Sequence, residues 1–405
     1  MSIISLFSGV FCNEAAVVRD IAESTGYRHI TDETVIARAS GLSGIQEEKI
    51  QRAFSSRTSV FNPFTHEKEQ AVAYLRRALA EMLDNRSIVS GYCSLLIPSG
   101  ITHVLRICLI AKTGFRTELA GLQDGLSRDE ALEIIQDADR DRAAWTGLLF
   151  FRNDPWEPDL YDIVLPMGKM TAQKAVALIQ ENLLKTVVRQ TPESKTAMDD
   201  FRLAALTETA LIDAGHHVGV NTCNGVVELT INRKVLMLKR LEDELQSIAK
   251  NIPGVVSVAT RVKETDPSNP AYQKRAVDPP PKVLLVDDER EFVQTLSERL
   301  QMRDIGSAVA YDGESALDLV RNDDPEVMII DLKMPGIDGM EVLERVKQIR
   351  PEIEVIVLTG HGSEQDREKC MNMGAFAYMQ KPVDINQLSL TLSDAHKKAT
   401  SGTGC

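Results

Sequence analysis

Cysteine is sparse in this 405-residue chain, and it carries no pattern. Six cysteines stand at positions 12, 93, 108, 223, 370 and 405, and none forms a C-x-x-C pair. That spread excludes a zinc ribbon and a disulfide framework, and it fits buried thiols in a reducing compartment. Long apolar runs are missing as well. No stretch approaches the roughly 18 apolar residues that a membrane span needs. The opening Met1-Ser2-Ile3-Ile4-Ser5 has no basic n-region and no long apolar core, so a signal peptide is not expected, and the expected location is cytoplasmic. Positive charge is in deficit: 46 Lys and Arg face 59 Asp and Glu, a net charge of −13. This balance argues against a general binder of nucleic acid or anionic membrane.

What remains is ordinary globular material, 43% hydrophobic and 26% charged, long enough for about two to four domains. Residues 1–190 alternate short apolar runs with helical patterns. Strands are expected at 3–7, 87–90, 104–111 and 162–165, and helices at 14–25, 67–84, 128–144 and 171–188. Alternation of this kind implies a parallel α/β sheet. A polar stretch with Pro192, residues 190–195, is expected to be a linker. Residues 198–263 read as a small α+β block. In it a helix over 199–214 precedes short strands at 218–220 and 226–231 around the turn signal Asn224-Gly225. A second helix over 236–251 is stopped by Pro253-Gly254, and a last strand covers 255–262. Residues 264–281 are rich in proline and suit an extended tether. Residues 282–399 form a third α/β block, and the tail 400–405 is expected to fray. No basic helix-turn-helix block follows, so no DNA-binding domain is evident.

The third block carries the chemistry. Val283-Leu284-Leu285-Val286 ends in Asp287-Asp288. Ile329-Ile330 ends in Asp331-Leu332-Lys333-Met334-Pro335-Gly336. Val355-Ile356-Val357-Leu358 ends in Thr359-Gly360, and Gln380 precedes Lys381-Pro382. Buried parallel strands read as continuous apolar runs, and function gathers at their carboxyl ends. Three Asp, one Thr and one Lys are therefore expected at one sheet edge. Carboxylates there can hold a hard cation such as magnesium, and a Lys can neutralise a phosphoryl group.

This constellation resembles the receiver domain of two-component response regulators, a doubly wound, flavodoxin-like fold. The resemblance implies that Asp331 is the phosphoacceptor. It implies that Asp288, Asp287 (largely through water), Asp331 and the backbone carbonyl of Lys333 bind Mg2+. Lys381 and Thr359 would contact the phosphoryl group. The Lys381-Pro382 peptide would be cis, and Gly360 would leave room beside Thr359. Tyr378 would couple to Thr359 as a switch that is read on the 383–392 face. A sensor histidine kinase or phosphotransfer protein is the implied partner, and a homodimer is possible.

The first block resembles the cytidylate-kinase-like family, a P-loop-kinase-like parallel α/β domain. The likeness is carried by 22–32, by Arg86-Ser87-Ile88-Val89-Ser90-Gly91-Tyr92, by 104–111 before Phe115-Arg116, by lid-like helices from Gly125-Leu126-Ser127 to Ala144, and by Tyr161-Asp162-Ile163-Val164-Leu165. A phosphate cradle reads G-x-x-x-x-G-K-[ST]. Here Ser8-Gly9-Val10-Phe11-Cys12-Asn13-Glu14-Ala15 has one Gly, no Lys and an acid at the mouth. Arg116, Arg128, Arg140 and Arg142 are either remnants of a phosphate-binding set or a solvated helix face. The middle block resembles the BON module, through Gly225-Val226-Val227-Glu228-Leu229 and Ile252-Pro253-Gly254-Val255-Val256-Ser257-Val258. Its adjacent His216 and His217, read as strand neighbours, would point to opposite faces and make a poor metal site. The expectation is a cytoplasmic response regulator that accepts phosphate on Asp331 and signals through a non-catalytic, kinase-like and BON-like N-terminal region. The alternatives are a nucleoside monophosphate kinase gated by the receiver, and a scaffold that binds a nucleotide as a sensed ligand.

Overall fold

The computed structural model describes residues 2–231, 238–263, 281–303, 305–360 and 362–401. Most of the expected tether, 264–280, lies outside the described residues. The chain divides into two compact units, Met1–Thr58 with Lys68–Val277, and Ser59–Glu67 with Asp278–Cys405.

In the first unit β1 (Ile3–Ser8) is buried at every residue, as a strand covered on both faces should be. It lies at the centre of an all-parallel sheet with β2 (Arg28–Ile30), β3 (Ser87–Ser90), β4 (Val104–Ile110) and β5 (Ile163–Pro166), in the order β2-β3-β1-β4-β5. The helices are α1 (Glu14–Thr25), α2 (Asp32–Ser43), α3 (Glu47–Gln51), α5 (Glu67–Met82), α6 (Thr113–Asp124), α7 (Arg128–Phe150) and α8 (Ala172–Leu183); α4 (Asn62–Thr65) belongs to the second unit. Sequence reading missed β2, which has three residues, two of them exposed. It also ended α7 too early. That helix starts on a Ser127/Glu130 capping box, meets no Gly or Pro break at 144, and stops where Phe151 turns left-handed at φ 58°. The expected helix to 188 ends at Leu183, and only a 3-10 turn, Thr186–Val188, follows.

The expected linker at 190–195 is mostly helix. Pro192 opens α9 (Pro192–Asp213), and Thr191 Oγ1 accepts the Ser194 N–H at 3.1 Å. A proline at the first helical position loses no hydrogen bond, so it starts this helix instead of breaking one. Met198, Phe201 and Ala205 of α9 share one buried cluster with Leu75, Leu79 and Trp145. The first and middle blocks therefore have a common core. Beyond α9, β6 (Gly219–Cys223) and β7 (Val226–Ile231) form a hairpin. Its turn has Asn224 at φ 51° and Gly225 at φ 77°, and the Asp200 carboxylate accepts both turn N–H groups. The chain crosses through α10 (Leu238–Lys250) to β8 (Ser257–Val262), which pairs parallel with β7.

The second unit holds β9 (Val283–Val286), β10 (Ser307–Ala310), β11 (Val327–Ile330), β12 (Glu354–Thr359) and β13 (Ala377–Gln380), all parallel, in the order β10-β9-β11-β12-β13. With its first strand second in the sheet, this is the flavodoxin-like doubly wound order. The crossovers are α11 (Arg290–Gln301), α12 (Gly313–Asp323), α13 (Gly339–Ile349) and α14 (Glu364–Asn372), and α15 (Ile385–Ser401) closes the fold. Two apolar clusters cover the two sheet faces. The 59–67 segment belongs to this unit, which no sequence signal marked. Phe61 is 1% exposed and lies in the cluster of Leu284, Val286 and Leu317. The Val60 N–H donates to Asp323 Oδ1 at 3.1 Å, and Lys282 Nζ meets Glu67 Oε1 at 2.7 Å.

Candidate functional site at the carboxyl edge of the second sheet

Asp287 and Asp288 follow β9, Asp331 follows β11, Thr359 ends β12, and Lys381 follows β13. Parallel register brings these strand ends to one edge, as expected. The carboxylates of Asp287, Asp288 and Asp331 each offer a ligand oxygen, and these lie within 4.8 Å of one another. Asp287 and Asp331 are buried and Asp288 is exposed. Lys381 Nζ donates to Asp287 Oδ2 at 2.6 Å and to Asp331 Oδ2 at 3.2 Å. Glu289 lies 3.8 Å from the same ammonium, and the Phe292 ring centroid is 4.3 Å away. Asp331 Oδ1 accepts the Leu332 N–H at 2.7 Å. Lys333 lies in the loop leaving β11 with its side chain exposed. The Lys381–Pro382 peptide is cis.

Burial pushes the Asp287 carboxyl above its ordinary range, against the hydrogen bond from Lys381. Burial pulls Lys381 down, but its bonds to Asp287 and the charge of Asp331 hold it above the usual Lys value. Three carboxylates around one ammonium leave an excess of negative charge, and the donors are all hard oxygens. That donor set fits a divalent cation such as Mg2+.

Two glycines matter here that the sequence reading gave no role. A Cβ at Gly339 would stand 2.0 Å from the Asp331 carbonyl oxygen, so the loop after Asp331 can fold back only over a glycine. A Cβ at Gly362 would stand 1.6 Å from Tyr378 Oη and 3.0 Å from Thr359 Cγ2. Tyr378 is thus turned inward beside Thr359, and its hydroxyl is buried with no hydrogen-bond partner among the described residues. Gly360 meets only Lys381 Cδ, at 3.9 Å. The crowding beside Thr359 falls at Gly362, two residues later than expected. Gly339 opens α13 and Gly362 lies in the loop after β12, where local sequence gives no hint of what folds against them.

The first sheet has charged groups at its edge too, but they face one another. Arg116, 4% exposed, binds Asp139 through both Nη atoms at 2.7 and 2.8 Å, and its Nε donates to the Val10 carbonyl at 2.9 Å. Arg142, 8% exposed, donates from Nε to the Ser8 carbonyl at 2.7 Å and lies over the Tyr92 ring. Neither is on a solvated face. Arg128 and Arg140 are exposed, and Arg140 pairs with Asp137 on its own helix. Glu14 accepts a hydrogen bond from the Ser8 hydroxyl. His216 precedes β6 instead of lying on a strand, is fully buried, and stands 3.5 Å from Glu244.

Comparison with known proteins places two likenesses on the chain. Residues 283–393 match the family model for the response regulator receiver domain, and residues 3–169 match that for the cytidylate kinase-like family. Sporulation initiation phosphotransferase F of Bacillus subtilis (strain 168) is 34% identical over 117 residues, which cover 29% of this chain and 91% of that protein. Transcriptional regulatory protein CpxR of Escherichia coli (strain K12) is 40% identical over 107 residues, covering 26% of this chain. The chain spans only 45% of the length of that regulator. The crystal structure of a response regulator receiver domain protein from Clostridium thermocellum aligns at 32% identity with a TM-score of 0.29, covering 30% of this chain and 98% of that one.

Proposed function

Because the chain belongs to the response regulator receiver family through residues 283–393, we propose that it is a cytoplasmic signalling protein that takes a phosphoryl group onto Asp331. Lys381 carries this reading: its ammonium is shared between Asp287 and Asp331 at 2.6 and 3.2 Å. A cation held there offsets the charge of an incoming phosphoryl group and orients the Asp331 carboxylate. An Asp331 oxygen attacks phosphorus, the bond to the donor's leaving group breaks, and an acyl phosphate results. Asp287, Asp288, Asp331 and the Lys333 carbonyl would hold Mg2+, which supplies further charge neutralisation at the phosphoryl oxygens. Thr359 donates its hydroxyl to one of those oxygens. The donor is a phosphohistidine on a sensor kinase or phosphotransfer protein.

The kinase-like region is read as non-catalytic. Glu14 stands where a phosphate would need a cation, and Arg116 is neutralised by Asp139. The signal then leaves through a changed surface around Tyr378 and 383–392. Labelling with acetyl phosphate and Mg2+ tests the central step. The wild-type chain should form an acid-stable, alkali-labile adduct, and Asp331→Asn should form none. An adduct that persists in Asp331→Asn would overturn the assignment.

A further inference from the structure

A cavity of about 580 Å3 lies at the carboxyl end of β1, between the loop over residues 9–13 and α1. This volume falls in the range of small-molecule sites. The loop is held in an uncommon shape. Phe11 and Asn13 are both left-handed, at φ 58° and 60°. For a bulky residue such as Phe that conformation is unfavourable, and it persists only where surrounding contacts dictate it. The Arg116 bond to the Val10 carbonyl and the Ser8–Glu14 bond are such contacts.

Most of the wall is apolar: Val10, Phe11, Ala15, Ala16, Val18 and Ala22. Three charged groups line the same space, Glu14, Arg142 and Arg19. The Arg19 guanidinium is paired with Asp20 through Nε and Nη2, at 3.1 and 3.0 Å, which leaves Glu14 and Arg142 to be met. Each is only partly satisfied. Glu14 Oε2 takes the Ser8 hydroxyl, while Oε1 has no hydrogen bond among the described residues. Arg142 spends Nε on Ser8 and Nη1 on the Ala138 carbonyl and Tyr92, while Nη2 has no hydrogen bond among the described residues. A carboxylate oxygen and a guanidinium nitrogen without hydrogen bonds among the described residues therefore share one chamber, whose apolar wall is joined by the polar side chains of Asn13, His29, Ser90 and Gln123. A phosphate would bind Arg142 but would be repelled by the Glu14 carboxylate in this partly buried site. An amine alone would satisfy Glu14 and meet Arg142 unpaired. A molecule carrying both charges satisfies both groups.

We propose that this cavity binds a small zwitterion, with an ammonium on Glu14, a carboxylate on Arg142 and an apolar body against the alanine and valine wall, as in the apolar α-amino acids. The proposal goes beyond the phosphoacceptor reading, and acetyl phosphate labelling of Asp331, run alongside, fails or succeeds independently of it. Isothermal titration and thermal shift on the full chain would use the standard apolar L-amino acids, their N-acetyl derivatives, their carboxamides, pyrophosphate and CMP. At least one amino acid should bind and raise the melting temperature. Its N-acetyl and carboxamide forms should each bind about tenfold or more weakly, because each leaves one charged partner unmet. Glu14→Gln should weaken the amino acid by about the same factor. Should that variant not fold, Ala15→Trp decides: Ala15 is exposed on the cavity rim, and the ring should close the mouth and abolish binding. The proposal is overturned if no amino acid binds, if the derivatives bind equally well, if pyrophosphate or CMP binds instead, or if the folded variants bind like wild type.

Discussion

The two parallel sheets of this chain put charge at their carboxyl edges in opposite ways. In the second sheet Asp287, Asp288 and Asp331 outnumber Lys381, and the excess negative charge is left for something outside the chain. In the first sheet Arg116 is closed by Asp139, and Arg142 is tied largely to main-chain carbonyls. Glu14 occupies the first turn of α1, where a helix terminus would otherwise favour an external anion. The folds are of one class and the edges are similar in composition. What separates them is net charge: the second edge carries an excess of carboxylates over its one Lys, whereas the first pairs Arg116 with Asp139 and sets the single carboxylate of Glu14 near the single guanidinium of Arg142. An edge that leaves negative charge unbalanced has hard oxygen donors to offer a cation. An edge that balances its cations internally has little left for transition-state charge.

The largest effect that could break this comparison is catalysis by the first sheet. Full-length protein with ATP and CMP, UMP or dCMP should show no turnover above background in a coupled assay, before or after phosphorylation of Asp331. Loss of one oxyanion-type donor alone costs about 100- to 1,000-fold, and here the cradle and its Lys are both absent. Turnover near about 10 per second, a typical enzyme rate, would mean that Arg116 leaves Asp139 during the reaction.

A second test concerns what holds the second unit together. Phe61 is among the largest fully buried side chains of the protein, and it lies in the same cluster as Leu284 and Val286. Phe61→Ala should destabilise that unit by about 3–5 kcal/mol, as large aromatic truncations in cores do. Hydrogen exchange over β9 and β11 would report it. Val60→Ala, at a residue 40% exposed, is the mild control. Protection unchanged in Phe61→Ala would show that the segment is not part of the unit's core.

The switch sharpens the comparison further, because it depends on how the charged edge is read out. An added side chain at Gly362 must displace the Tyr378 hydroxyl. Gly362→Val and Thr359→Ala should therefore still accept phosphate but lose the phosphorylation-dependent change in exchange over 383–392. Tyr378→Phe removes a buried hydroxyl that lacks a partner, so it should stabilise the unphosphorylated receiver slightly, by up to about 1 kcal/mol. A clear loss of stability in Tyr378→Phe would mean that the hydroxyl is bonded in solution.

Much of this was legible in the sequence, for physical reasons. The strands β9, β11 and β12 are buried on both faces, so each reads as an unbroken apolar run, and the polar residue after it marks the functional edge. The same logic found β1, β3 and β4. It failed at β2, whose three residues bury only Ile30. It failed at Pro192, because proline signals both a helix start and a break, and only the Thr191 cap distinguishes them. It had no means of finding the place of Phe61 or the contacts of Gly362, which depend on residues far away in the chain. Arg116 and Arg142 were left between two readings, and burial removed the solvated one.

A pH-dependent effect is expected in the first unit, from a carboxylate that the comparison would otherwise overlook. Asp32 opens α2 and accepts the Tyr92 and Cys93 N–H groups, both at 2.8 Å. Burial raises its pKa from 3.8 to about 6, although those two bonds pull it down. The sign follows from proton counting. Between pH 3.8 and about 6 the folded chain holds a proton on Asp32 that the unfolded chain has released. Folding is then proton-linked, and the Asp32 contribution to stability falls as pH rises through that window. The penalty is complete above the folded value, and at about 1.4 kcal/mol per pKa unit it amounts to about 3 kcal/mol at most. Asp32→Asn cannot ionise, so the stability difference between wild type and variant should shift in favour of the variant as pH rises from 4 to 6, whatever the neutral amide costs in hydrogen bonding at every pH. Hydrogen exchange over β3 and the following turn, measured at both ends of the window, gives that difference. A difference that is flat with pH would mean that Asp32 is ionised in the folded protein throughout, with the two backbone N–H groups outweighing burial.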